Sequence, residues 1–386
     1  MAIPLKYNLR NLCVRWRSTL ATMLGIALVV GVFNLVMALY RGMHATYINT
    51  GDPRNLIVLR KGSTAESSSQ IGRDEARRIK YLGGIVRNIH DQPLASAEII
   101  VLINLARVGG GTANVLVRGI GPVGIELRPQ VRVVNGRMFR PGLRECIVSQ
   151  RIADRFANCR VGERFRSGKN LWTVAGIFDA SRTAYESEIW LDADEARDAF
   201  NRNFYGSILI RPVDDTAAAG LTQRMLRDNL LNVKVLRETE YYERQTQSAG
   251  FYRYLAGFLA VIMSIGAAFA AMNTMYAAVG ARTREIGTLR VLGFRRRDIY
   301  LCFFLESVML ALLGGLLGCV LSLPLNLLSG GTFSQTTFAE VAFQFRVTAE
   351  MHGMAMAFAL VMGMLGGLLP ARLAARKPVL DALRAV

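Results

Sequence analysis

Two glycine-rich stretches of this 386-residue sequence have the residue types of nucleotide chemistry, and each breaks at the step that chemistry needs. Gly119, Gly121 and Gly124 fit the GxGxxG spacing that lets a backbone approach a pyrophosphate. Pro122 interrupts the pattern and no helix signal follows, so phosphates would lack the helix N-terminus that holds them; the segment reads as a turn. Gly162 to Asn170, GERFRSGKN, approaches a P-loop but has one residue too many between its glycines. Asn170 also stands where a magnesium-binding Ser or Thr is required. His44, His90 and His352 are far apart, no HExxH or CxxC occurs, and no Ser or Cys has a base at motif spacing. No catalytic residue, metal site or bound cofactor is expected, so the chain is not expected to be an enzyme.

The elements that organise the chain are apolar. Hydrophobic residues make up 52% of it and mean hydropathy is +0.26. Residues 18–40 carry no charge, enough to cross about 30 Å of hydrocarbon as a helix. Uncharged runs also cover 254–281 and 351–371, and 300–329 is interrupted only by Glu306. The first run exceeds the usual length of a secretory signal core, so it reads as a retained span.

The net charge of +18 would suit nucleic acid if it were a patch, but much of it flanks the spans. Residues 1–17 carry Lys6, Arg10, Arg15 and Arg17 without an acid. Residues 282–298 carry six Arg against Glu285 and Asp298, and 372–386 carry Arg372, Arg376, Lys377 and Arg384 against Asp381. Four spans put these three segments on one side, which the positive-inside rule makes the cytoplasm. The expected plan is a multi-pass inner (plasma) membrane protein with cytoplasmic segments 1–17, 282–299 and 372–386. Spans 18–40, 254–281, 300–329 and 351–371 come with a short external loop at 330–350. No nucleic-acid partner is expected; membrane lipid is.

Residues 41–237 read as a folded extracytoplasmic α+β domain of two subdomains. Strand-like runs are 55–60, 98–105, 114–117, 145–149, 171–178, 207–211 and 232–236. Helical patterns cover 149–156, 192–201 and 216–230, with Asp192 placed as an N-cap. Residues 238–253, polar and free of proline, read as a stalk helix that continues the second span outward. In an oxidising compartment Cys146 and Cys159 could bridge; two buried thiols are the alternative reading.

Two features inside the spans point to helix packing. Gly314 with Gly318, and Gly363 with Gly367, have the GxxxG spacing that lets helix backbones approach closely. Glu306 costs about 2.5–3.5 kcal/mol at a bilayer centre on insertion scales, so it reads either as a packing or coupling contact or as a snorkelling carboxylate.

The loop RTREIGTLRVLGFRRRDI, Arg282 to Ile299, followed at Leu305 by LESVMLALLGGLLG, closely resembles the coupling segment of the FtsX-like permease family. Leu9 to Leu28, LRNLCVRWRSTLATMLGIAL, resembles that family's opening span, and Leu369 to Val386 its closing tail. Asn135 to Phe156 and Trp172 to Ala180 resemble parts of the MacB-type periplasmic domain. The resemblance implies four transmembrane helices plus a large MacB-like periplasmic domain. It also implies a dimer with a second permease copy or paralogue, and an ABC ATPase that uses ATP and Mg. Arg282, Arg284, Glu285, Ile286, Gly287, Leu289, Arg290, Leu292 and Gly293 would form the ATPase-coupling helix.

Because MacB resembles a fusion with an N-terminal ATPase domain and this sequence opens close to its first span, the ATPase is expected on a separate cytoplasmic chain, as in lipoprotein-releasing permeases. An amphipathic helix with Ile286, Leu289 and Leu292 on one side could fill a groove in that partner. The expected activity is export or extraction of a lipid, lipoprotein, peptide or small amphiphile, often with a periplasmic adaptor and outer-membrane duct. The alternative is an FtsX-like signalling subunit that activates a periplasmic cell-wall hydrolase. Substrate identity is not written in the sequence.

Overall fold

The computed structural model describes residues 10, 14, 16–167, 170–333 and 339–377. Helix α1 (Trp16–Ile48) leads to β1 (Leu56–Arg60), α2 (Arg73–Lys80), β2 (Ala95–Ala106) and β3 (Thr112–Ile120). Next come β4 (Arg132–Gly136), β5 (Glu145–Ser149), α3 (Gln150–Arg155), β6 (Arg164–Ser167), β7 (Asn170–Asp179) and β8 (Glu188–Asp192). Then follow α4 (Ala193–Ala199), β9 (Ser207–Ile210), α5 (Asp215–Arg227), β10 (Val233–Arg237) and α6 (Glu238–Gln245). The chain continues with α7 (Gln247–Ala281), α8 (Thr283–Val291), α9 (Arg296–Ser322), β11 (Ser329–Phe333), β12 (Glu340–Gln344) and α10 (Ala349–Arg376). These fall into two compact units, one of Met1–Arg41, Phe251–Leu328 and Phe345–Val386, the other of Gly42–Gly250 and Ser329–Gln344.

In the second unit the sheet order is β10-β1-β9-β2-β3-β8-β5-β7-β4, with β6 also beside β7. The sequence β1-α2-β2 and then β9-α5-β10, with strands ordered β10-β1-β9-β2 and every neighbour antiparallel, is a ferredoxin-like β-α-β-β-α-β arrangement. Everything from β3 to β8 is inserted between its second and third strands. The junction is β2: Ala95 to Glu98 pair with β9, and Ile99 to Ala106 pair with β3. A single strand twelve residues long therefore serves both halves of the sheet.

Strands buried on both faces read as continuous apolar runs. In β5, Cys146 and Val148 face one core with Val117, Trp172 and Ile189, while Ile147 faces another with Phe178, Tyr185 and Trp190. The ferredoxin-like half closes over Val58, Ile79, Ile208, Leu221 and Met225. Its helix α5 starts where the Asp214 carboxylate accepts the Ala217 N–H at 2.6 Å.

Four features differ from the sequence expectation. Strands β4 and β6 escape it because they are short and lack a sustained apolar pattern: β4 is largely exposed, and β6 alternates exposed arginines with buried Phe165 and Ser167. Strand β8 escapes it because Glu188 and Asp192 bracket its three apolar residues, and both acids are buried. The loop expected at 330–350 holds a hairpin of β11 and β12, paired from Ser329↔Gln344 to Phe333↔Glu340. The stalk expected over 238–253 consists of α6 and the start of α7, which meet at Thr246, whose N–H reaches the Tyr242 carbonyl at 3.2 Å and the Glu243 carbonyl at 3.0 Å and whose hydroxyl donates to the Glu243 carbonyl. The shared N–H tightens the turn there while the bond to the fourth residue back is kept.

In the first unit α1, the Tyr254–Ala281 part of α7, the Arg296–Leu327 segment that begins with α9, and α10 are long and apolar enough to cross a membrane. Pro324, which has no N–H to donate, begins the tighter turn that ends α9. The glycines explain how the helices meet. A Cβ on Gly314 would lie 2.9 Å from the Ile26 Cβ, and one on Gly318 2.7 Å from the Ala27 carbonyl oxygen. One on Gly363 would lie 2.4 Å from the Ala311 Cβ, and one on Gly367 2.5 Å from the Ser307 Cβ. The first pair thus seats α9 on α1 and the second seats α10 on α9, where the Ser307 hydroxyl also donates to the Gly363 carbonyl at 2.8 Å. Without a hydrophobic drive between helices in lipid, such close approach carries the association.

Gly363→Val is expected to lower stability by about 1–3 kcal/mol through overpacking. Gly257→Val, at a position with open space around it, is expected to change it little. Thermal unfolding of both variants in detergent checks this, and equal behaviour would remove the packing role.

Candidate coupling site

The arginine-rich loop of the first unit is short and closed by backbone turns at both ends. Helix α7 stops at Ala281, Arg282 takes a non-helical φ of −111° and ψ of 19°, and α8 begins at Thr283. At the other end Gly293 adopts φ +94°, a conformation that costs other residues energy and that ends helices with a reversed turn. The Gly293 N–H returns to the Arg290 carbonyl at 3.2 Å and the Phe294 N–H to that of Leu289 at 3.1 Å. Helix α9 is then capped by Asp298, whose carboxylate accepts the Arg295 N–H at 2.8 Å.

What holds this loop is a buried ion pair. The Arg282 Nη1 donates to both oxygens of Glu306, at 2.9 and 3.3 Å, and each side chain is only 5% exposed. The guanidinium also lies 5.9 Å from the centre of the Phe303 ring. Either group alone would be a buried uncompensated charge; together they tie the start of α8 to the middle of α9. Around them Ile286 packs with Met275 and Val279 of α7, Ile299 and Phe303 of α9, and Ala371 and Ala374 of α10. Lys377, just past α10, donates to the Thr283 hydroxyl at 2.7 Å.

The structure redistributes the residues assigned to the loop. Arg282 is buried rather than offered outward, as are Ile286 and Gly287. The outward face expected from Ile286, Leu289 and Leu292 is therefore incorrect, because Ile286 is consumed by the chain's own helices and Leu289 is half-buried. The apolar side chains left outside are Val291, 62% exposed, and Leu292, 69% exposed. Arg284 and Glu285 are exposed and each has a partner; Arg290 is half-buried and donates to the Phe294 carbonyl at 3.3 Å. Glu306, read from sequence as either a snorkelling group or a contact, is a contact.

Other sites resolve in the second unit. Gly121 to Gly124 form a turn in which a Cβ on Gly124 would lie 2.9 Å from the Ser96 Oγ. The segment that approached a P-loop belongs to strands β6 and β7, with 168–169 outside the described residues. Among the described residues no cluster could hold a metal ion. Cys146 and Cys159 share one core, but they are free thiols rather than a disulfide. Burial pushes Cys159 up to about 12 and Cys146 above its ordinary value.

Sequence reading missed a second buried charge network. Arg118 of β3 donates to Glu188 of β8 at 2.7 Å, to Glu66 at 2.9 Å and to Glu98 of β2 at 2.7 Å, while Arg128 grips Glu98 at 2.6 and 2.8 Å. Close by, Glu238 at the start of α6 accepts from Asn55 at 2.8 Å and from the Tyr185 hydroxyl at 2.8 Å. Burial raises the Glu238 pKa, and Arg128 only partly offsets it. Burial acts the same way on Glu98, but there Arg128 and Arg118 outweigh it and hold the pKa low. The signal in the sequence was an arginine inside an apolar strand, Val115 to Ile120, with no surface to reach.

Comparison with known proteins places this geometry. A family model described as the MacB-like periplasmic core domain matches residues 19–228, more than half of the chain, and one described as the FtsX-like permease C-terminal matches 257–379. The chain belongs to the MacB-type, FtsX-like permease family. The macrolide export ATP-binding/permease protein MacB of Pasteurella multocida (strain Pm70) is 26% identical over 393 residues, 94% of this chain and 57% of that protein. MacB of Bordetella avium (strain 197N) is 34% identical over 187 residues, 46% of this chain and 27% of that protein. The pyoverdine export ATP-binding/permease protein PvdT of Pseudomonas syringae pv. tomato is 32% identical over 183 residues, 46% of this chain and 26% of that protein. This permease thus spans between about a quarter and just over half of the length of these curated relatives. The periplasmic region of MacB from Actinobacillus actinomycetemcomitans superposes with a TM-score of 0.39 at 12% identity, over 50% of this chain and 92% of that one, too loosely to add to the assignment.

Glu306→Ala is expected to destabilise the permease by about 3–5 kcal/mol, because Arg282 is left buried without a partner. Arg282→Met combined with Glu306→Leu is expected to recover most of that loss. Denaturation in detergent of the single and double variants decides it; a double variant no better than the single would refute the pairing.

Proposed function

We propose that this permease transmits ATP-driven motion across a membrane and thereby exports or extracts a lipid, lipoprotein, peptide or small amphiphile. The observation that carries the reading is the Arg282–Glu306 pair: α8 is locked to the bundle at the residue before its start, while Val291 and Leu292 protrude at its end. A lever needs a fixed end and a contact end, and α8 has both. Hydrolysis is assigned to an ABC ATPase unit outside these residues, using ATP and Mg, since the sequence holds no match to a phosphate-cradling P-loop with its magnesium-binding Ser or Thr.

The protruding apolar pair, flanked by Arg295, Arg296 and Arg297, fits a groove with an apolar floor and an acidic rim on that unit. Force entering there would tilt α9 through the ion pair and α7 through Ile286. Basic flanks of the spans support an inner-membrane orientation with the loop and both termini in the cytoplasm, and the second unit outside. The names of the relatives support an exporter: they are described as acting on macrolides and on pyoverdine. A paired permease chain, an adaptor and an outer-membrane duct would complete such a machine.

The test is reconstitution of the permease with its ATPase unit in proteoliposomes. Val291→Glu with Leu292→Glu is expected to cut permease-stimulated ATP hydrolysis by about tenfold or more, the loss of about 1.4 kcal/mol or more of docking energy. Folding is expected to be untouched, since both side chains are exposed. Full stimulation by this variant would overturn the docking role. A Thr288→Cys label that reacts only from the outer face would overturn the orientation.

A further inference from the structure

The far edge of the large sheet is open and arginine-bearing. Strand β7 pairs with β5 along one side; along the other, β4 covers Gly176 to Asp179 and β6 covers Asn170 to Thr173. The two short strands lie end to end, and among the described residues neither pairs with a further strand. At about 3.3 Å per residue the edge offers roughly 30 Å of unpaired backbone.

Its side chains have one sign. Arg132, Arg164 and Arg166 are exposed and make no ion pair among the described residues, and exposed Arg160 is in the same position just before β6. Of the acids nearby, Glu145 is ion-paired, while exposed Glu163 and Asp179 each accept a backbone N–H. Glu145 is held by Arg137 at 2.5 and 2.6 Å, Glu163 accepts the Arg160 N–H at 2.8 Å, and Asp179 lies opposite Arg132 in the β4–β7 register and receives the Ser181 N–H. Between the arginines, Val134 is 56% and Leu171 47% exposed. Val134 stands at the register shift in β4, where an extra residue is turned away from the partner strand.

A charged, bulged edge resists pairing with identical copies, because like charges directly opposite one another are destabilising. That repulsion reverses for a strand of opposite charge. We infer that the β4–β6 edge is a docking surface for an extended acidic segment of a partner protein, added as a further strand, with carboxylates facing Arg164 and Arg166 on one face of the sheet and, past the irregularity in the β5–β7 pairing, Arg132 on the other. The inference is independent of the coupling reading: it involves no residue of the loop and stands if that loop has no partner.

The probe is a fluorescent ten-residue peptide of alternating Glu and Val, read by anisotropy with the full chain in nanodiscs. The native chain is expected to bind it, and to bind the Lys-for-Glu peptide at least about tenfold more weakly. Arg132→Glu, Arg164→Glu and Arg166→Glu together are expected to cost at least about tenfold, with the milder change of all three to Gln losing less than the reversal. An acidic peptide N-methylated at alternate residues keeps its charge but cannot donate to the edge, and is also expected to bind at least about tenfold more weakly. No binding to the native chain, equal binding to the reversed edge, or equal binding of the N-methylated peptide each overturns the inference. Equal binding of that last peptide would leave charge attraction without strand addition.

Discussion

An arginine and a glutamate removed from water must answer each other, and in this permease that requirement fixes the geometry of the arginine-rich loop. Arg282 is the hinge residue between α7 and α8, and Glu306 lies three turns into α9. A lone charge is costly at either position, and the turn between the two helices takes an arrangement in which both are satisfied. Ile286 and the Thr283–Lys377 hydrogen bond build on that arrangement and draw in the ends of α7 and α10. The protrusion of Val291 and Leu292 is a consequence, since the inward stripe of α8 is already used.

The second unit solves a related problem differently. Its sheet has a ferredoxin-like half and a larger insertion, and both run through β2. Glu98, the last residue of β2 to pair with β9, is gripped by Arg128 and Arg118 together. Arg118 in turn reaches Glu188 of the insertion and Glu66 beside the ferredoxin-like half, where the Ser207 hydroxyl of β9 also donates to Glu66 at 2.6 Å. The network thus joins the two halves where the strand changes partners. Three carboxylates around two guanidinia leave surplus negative charge, and Glu238, close by in the same buried region, has its pKa raised by burial and is held by neutral donors from Asn55 and Tyr185. Glu238 begins α6, so the element leading toward α7 starts from this network.

Between the apolar helices the cohesive device is absence of side chain. Gly314, Gly318, Gly363 and Gly367 each meet a neighbouring helix at a distance no Cβ would permit. Leu24, Leu28, Phe258 and Ile265 stay exposed on outer faces, as lipid-facing residues do. Large side chains outside and glycine inside invert the pattern of a soluble bundle, and the reason is the solvent.

Sequence alone determined the membrane class, the four apolar helices, the basic flanks and most of the strands of the second unit. These follow from local composition and from apolar runs of the right length, which need no knowledge of neighbours. It also marked both GxxxG pairs, Glu306 and the loop as places of interest. It could not pair Arg282 with Glu306, because the 23 intervening residues carry no periodic signal for a contact between the start of one helix and the middle of the next. It missed β4, β6 and β8, whose charged residues hid strands that only their neighbours stabilise, and it turned Ile286 the wrong way. Which polar residues find partners is a property of long-range packing, and only the tertiary structure decided that Arg118 is a core residue while Arg132, at an open edge, has no ion pair among the described residues.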